Sequence, residues 1–134
     1  VVRGLFTETS AKLVDLSIEE HDRRMGLVLG LTHLANLVFA RALSHSSVDA
    51  SELADVAGVT FTKQLGTTRE VTSENPGLYF EIQHLNPITP ETGRWLRRSL
   101  DEWLAAIEDG QAGSFADLMS ECRGFLVDNE DGGS

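Results

Sequence analysis

From Met25 to Leu43 the chain reads MGLVLGLTHLANLVFARAL, with apolar or small side chains on nearly every face of a helix. A helix that is hydrophobic all round has to be buried, so this segment predicts the long central helix of a helical bundle. Its start is marked upstream by SIEE, where the Ser17 hydroxyl and the Glu20 carboxylate form a capping box. Glu19, Glu20 and Asp22 fall in the first turn, where the helix dipole favours negative charge. The helix is expected to run to about Leu43. Its apolar run, LVLGLTHLANLVFA, is too short to span a bilayer and is interrupted by Thr32, His33 and Asn36. No cationic apolar signal segment is found in VVRGLFTETS at the amino end.

Shorter helices are expected downstream. One covers Ala50 to Ala57 and stops at Gly58; another covers about Val59 to Thr72; a third, GLYFEIQHLN, follows Pro76. The PITP break places Thr89 as N-cap and Pro90 at the first helical position of a longer helix. In that helix Trp95, Leu96, Leu100, Trp103, Leu104 and Ile107 repeat at helical spacing up to Gly110. Ser114, with Asp117 three residues on, is expected to cap the last helix. The body, residues 17–128, is thus all-α, and residues 129–134 form a flexible tail. Residues 1–16 read differently: KLVDL, Lys12 to Leu16, has the pattern of a short strand. A lone strand leaves its backbone groups unpaired, so it pairs across a dimer or with a sheet upstream; the second is the preferred expectation.

Twenty-one acidic residues face eleven basic ones, a formal net charge of -10, and the only lysines are Lys12 and Lys63. Such a surface repels phosphate backbones and anionic membranes, excluding nucleic acid and membrane as expected partners. It also suits a salt-adapted source, where self-repulsion is screened. The single cysteine, Cys122, allows no internal disulfide and fits a reducing cytoplasm. The chain lacks a dinucleotide fingerprint, a P-loop and a nucleophile elbow.

Three histidines, His21, His33 and His45, recur every twelve residues. On one helix they lie about 120° and about 18 Å apart, which excludes a shared metal ion. His33 is the outlier, an ionisable ring among leucines. Gly26 and Gly30 lie on its helix face, which admits two readings. The glycines permit a close helix contact with His33 hydrogen-bonded in the core, or they leave a hollow where the imidazole meets an anionic or hydroxylated ligand. Arg69 stands among Thr67, Thr68 and Thr72, either as a fork for a carboxylate or as a solvated surface arginine.

The order of these features resembles the C-terminal helical domain of prephenate dehydrogenases. The matching positions are His21-Asp22 opening the long helix, His33 twelve residues later, Thr68-Arg69, Pro76, Tyr79, and Ile82 with Asn86. The resemblance extends from about Arg3 to Asp128, and the interval from Arg69 to Pro76 is one residue longer than the family pattern. It implies a 6-phosphogluconate-dehydrogenase-C-terminal-like fold, a homodimer, and an upstream Rossmann domain that binds NAD or NADP and carries the hydride-transfer histidine. Residues 1–16 then resemble the junction with that domain, and the strand is its last element.

The implied reaction is the oxidative decarboxylation of prephenate to 4-hydroxyphenylpyruvate in tyrosine biosynthesis, with no metal. The resemblance further implies that His33 contacts prephenate, Arg69 holds a carboxylate, and Lys63 is an auxiliary anion contact. His21 and Asp22 make a helix-start or interdomain polar contact, and no catalytic or cofactor-binding residue is expected in this chain. Two other readings fit the residues: a non-catalytic acidic helical module that self-associates, and the C-terminal domain of an arogenate dehydrogenase or another two-domain dehydrogenase.

Overall fold

The computed structural model describes residues 15–127. Seven α-helices and one π-helical segment follow in order: α1 (Ile18–Met25), the π segment (Gly26–Leu31), α2 (Thr32–Ser44), α3 (Ala50–Asp55), α4 (Val59–Ser73), α5 (Pro76–Leu85), α6 (Thr89–Glu108) and α7 (Ala112–Val127). Among the described residues there is no strand, and the all-α expectation holds. The Lys12–Leu16 strand lies mostly outside the described residues; Asp15 and Leu16, which are described, carry no regular structure.

The chain divides into two compact units, one up to Thr92 and one from Gly93. In the first, α1, the π segment and α2 form one continuous helix, Ile18–Ser44. Ser17 caps it as expected, its hydroxyl accepting from the Glu20 amide at 3.1 Å. Helix α4 packs on α2, where Asn36 meets Thr68 and Phe39 meets Phe61. Helix α5 also runs against the long helix. Tyr79 lies on His33, and Gln83 donates to the Gly30 carbonyl at 2.8 Å. Further toward the helix start, Asn86 donates to the Asp22 carbonyl at 2.9 Å.

The expectation of a buried central helix is corrected here. Only Gly26, Gly30 and Asn36 of the long helix are buried, whereas Val28 is 59% and Val38 44% exposed. Helices α4 and α5 pack against it, and Leu27, Val28, Leu29 and Val38 remain exposed. The continuous helix also exceeds the apolar run within it. At 27 residues it is long and apolar enough to cross a membrane by length and composition, which corrects the length argument made from the run alone.

Two helix starts also differ from expectation. Helix α6 begins at Thr89, not after it: the Ile88 carbonyl accepts from both Glu91 and Thr92 amides at 2.9 Å. The Asn86 side chain takes the Ile88 amide at 3.0 Å, so Asn86 organises this turn in place of a Thr89 cap. In the second unit α7 starts at Ala112, two residues before Ser114. Gly110, at φ 66°, turns the chain so sharply after α6 that the next helix resumes at once. Trp103 and Phe115 meet edge to face across this hairpin, with ring centroids 5.0 Å apart, beside the buried Ala106.

Candidate functional site

Each residue singled out from the sequence has a definite place. His21 and Asp22 form an exposed pair at the helix start, Nδ1 to Oδ1 3.3 Å, as expected for a local polar contact. The Asp22 backbone is the part that is held from elsewhere, by Asn86.

The glycine question resolves by position. A Cβ on Gly26 would lie 2.5 Å from Ile88 Cδ1 and 2.9 Å from Asn86 Oδ1, so this glycine permits close packing and leaves no hollow. At Gly30 the nearest atom to such a Cβ is Gln83 Oε1, 4.0 Å away, and the Gly30 carbonyl accepts from Gln83 Nε2. The glycines sit within a π-helical segment, a local widening of the helix that recurs at functional sites.

His33 follows one turn later. Its ring is half-buried and rests on Tyr79, with centroids 4.4 Å apart and planes tilted by 38°. Its Nδ1 is buried and has no hydrogen-bond partner among the described residues. Gln83 Oε1 is likewise buried without a partner. Two polar atoms thus lie between the long helix and α5 without a hydrogen-bond partner among the described residues.

Arg69 is exposed on α4 and makes no ion pair with a described residue. It lines an open cavity of about 510 Å³ with Ser44, Ser46, Asp49 and Thr72 among others; Thr68 also borders it, with its hydroxyl turned to Asn36. Lys63 is exposed two turns earlier on α4 and does not line this cavity. His33 does not line it either. The structure therefore places His33 and Arg69 on neighbouring helices but not in one cavity, and it leaves Lys63 apart from both.

A group not singled out from the sequence links these helices. Asn36, 5% exposed, donates through Nδ2 to the Thr32 carbonyl and accepts at Oδ1 from Gln64 and Thr68, each at 2.9 Å. The signal was present in the sequence, since a carboxamide inside an all-apolar helix needs partners. Which residues would supply them was not written there.

The described residues are thus wholly helical, with His33 against Tyr79 and Arg69 beside an open cavity. The family model described as "Prephenate dehydrogenase, dimerization domain" matches residues 17–121, and the chain belongs to that family. A 4-amino-4-deoxyprephenate dehydrogenase of Streptomyces pristinaespiralis is 33% identical over 116 residues, 87% of this chain and 39% of that protein. A probable arogenate/prephenate dehydrogenase of Methanocaldococcus jannaschii is 28% identical over 120 residues, 90% of this chain and 27% of that protein. The chain spans less than half the length of either relative. No solved structure matches it.

Proposed function

We propose that the chain is the dimerisation and substrate-binding part of a prephenate dehydrogenase of tyrosine biosynthesis, working with NAD or NADP. The observation that carries this reading is His33, a half-buried ring lying against Tyr79 whose Nδ1 has no partner among the described residues. It occupies the position of the second histidine in the family pattern, and its role is to contact the substrate. Prephenate is a dianion and the chain carries a net charge of -10, so binding needs a local cation. Arg69, with no ion pair to a described residue and beside serine and threonine residues, supplies a fork for one carboxylate; Lys63 is the auxiliary contact. His21 and Asp22 serve the helix start.

The described residues of this chain do not fit a dinucleotide: they contain neither a strand nor the strand-to-helix glycine turn that cradles a pyrophosphate. In the proposed reading nucleotide binding and hydride transfer are assigned to a further domain, and this chain's share is to bind and orient substrate. The partner for its exposed apolar surface is a second copy. Leu27, Val28, Leu29 and Val38 of the long helix are exposed, and the family is one of dimerization domains. The same pairing accounts for the membrane-length helix in a cytoplasmic enzyme.

The names of the two relatives point to substrates on one skeleton, prephenate and its amino analogues. Assaying the whole dehydrogenase against prephenate, arogenate and 4-amino-4-deoxyprephenate identifies which is used. For the preferred substrate, His33→Ala is expected to lower kcat/KM about tenfold, the scale of one hydrogen bond to a charged group. Its urea midpoint should stay near that of the parent. Unchanged kinetics, or a protein that simply unfolds, would refute the role given to His33, and binding independent of both His33 and Arg69 would favour a non-catalytic self-association module.

A further inference from the structure

We infer that Asn36 is a positioning residue for substrate binding, fixing the helix that carries His33 against the helix that carries Arg69. The inference rests on the roles proposed above for those two residues. Asn36 lies three residues beyond His33, about 4.5 Å along the helix axis. Its bonding partner Thr68 immediately precedes Arg69. Both sides of the contact are closed to solvent, with Asn36 5% and Thr68 3% exposed.

The carboxamide has one orientation. A backbone carbonyl can only accept, so the atom facing Thr32 O at 2.9 Å is Nδ2. Oδ1 is thereby turned toward α4, where Gln64 Nε2 and Thr68 Oγ1 both donate to it at 2.9 Å. Both lone pairs are then used. Thr68 sits one turn above Gln64 on α4, so the single oxygen is gripped at two levels of the facing helix. A slide of either helix by a fraction of a turn would break one or both bonds inside a dry contact. Apolar packing alone tolerates such a slide more readily, since dispersion contacts have little directional demand. Thr72 extends the arrangement by donating to the Thr68 carbonyl at 2.9 Å, holding the backbone on either side of Arg69.

The consequence for binding is geometric. Under the roles proposed above, His33 and Arg69 reach substrate from two helices, and such contacts lose much of their effect when displaced by about 1 Å. The network touches neither group directly, so it acts through their placement.

The test is steady-state kinetics on the whole dehydrogenase with its preferred substrate. Thr68→Val keeps the shape and removes the hydroxyl; Asn36→Leu removes the hub. Each is expected to raise KM about fivefold with kcat little changed, as loss of ground-state and transition-state binding alike requires. Thr68→Ser, which restores the donor, should return KM toward the parent value. In combination with Arg69→Ala, Asn36→Leu should add little further, because its effect passes through that arginine. An Asn36→Leu effect that adds in full to Arg69→Ala, or a Thr68→Ser variant no better than Thr68→Val, would overturn the positioning role while leaving Arg69 as a substrate contact. If Arg69→Ala and His33→Ala themselves leave KM untouched, the substrate reading falls and the positioning role with it. Should Asn36→Leu fail to fold, the Thr68 pair and its double mutants with Arg69→Ala decide the matter.

Discussion

Gly26→Val is expected to lower stability by about 1–3 kcal/mol, the cost of forcing extra atoms into a filled contact. The new side chain would start inside the space of Ile88 and press on Asn86 Oδ1. Neither neighbour yields freely. The Asn86 carboxamide is tied at both ends, to the Asp22 carbonyl at 2.9 Å and the Ile88 amide at 3.0 Å. Relief therefore means parting the long helix from the turn that opens α6. Gly66 supplies the comparison of opposite sign. It lies inside α4 with nothing within 4 Å of an added Cβ. Gly66→Ala should stabilise by about 0.5–1 kcal/mol through helix propensity alone. Urea unfolding of the two variants beside the parent reads both effects; a neutral Gly26→Val would mean that the contact with Ile88 is slack.

Arg69→Ala should raise KM for the anionic substrate about 10- to 100-fold, corresponding to loss of one charge-assisted bond or a bidentate pair. Arg69→Lys should recover only part of this, because an ammonium cannot present two parallel donors to a carboxylate. Stability should change little, since the side chain is exposed and makes no ion pair with a described residue. The proximity of Asp49 in the same cavity sets the sign of a further substitution: Asp49→Asn should lower KM, if modestly, by removing a competing negative charge. A KM that is indifferent to the charge at 69 would leave the arginine as solvated surface.

What was legible in the sequence follows from how local its cause was. The Ser17 cap, the long helix and the breaks at Gly58, Pro76 and Gly110 are written in side chains within a turn of the feature itself. The start of α7 was misplaced because Ser114 offers a local cap, while the sharp turn at Gly110 lets the helix begin sooner. Burial of the long helix was misread for a different reason. An apolar circumference states that something must cover it but not whether that cover belongs to the same chain. In the candidate site, His33 and Arg69 could be named from residue type and order. Asn36, Gln64 and Thr68 could not be joined, because their contact spans 28 and 32 positions of sequence and depends on the register of two helices. Likewise the stacking of Tyr79 on His33 requires α5 to run antiparallel beside the long helix, which no spacing within either segment encodes.

The exposed valines and leucines of the long helix bear on how any variant of this protein must be assayed. When apolar surface is closed by a second copy, folding and association draw on the same free energy, and stability becomes a function of protomer concentration. A substitution far from the substrate that weakens pairing then mimics a catalytic defect in a dilute assay and recovers as enzyme is added. A lesion at His33 or Arg69 does not recover. Titrating enzyme concentration thus separates defects of assembly from defects of chemistry.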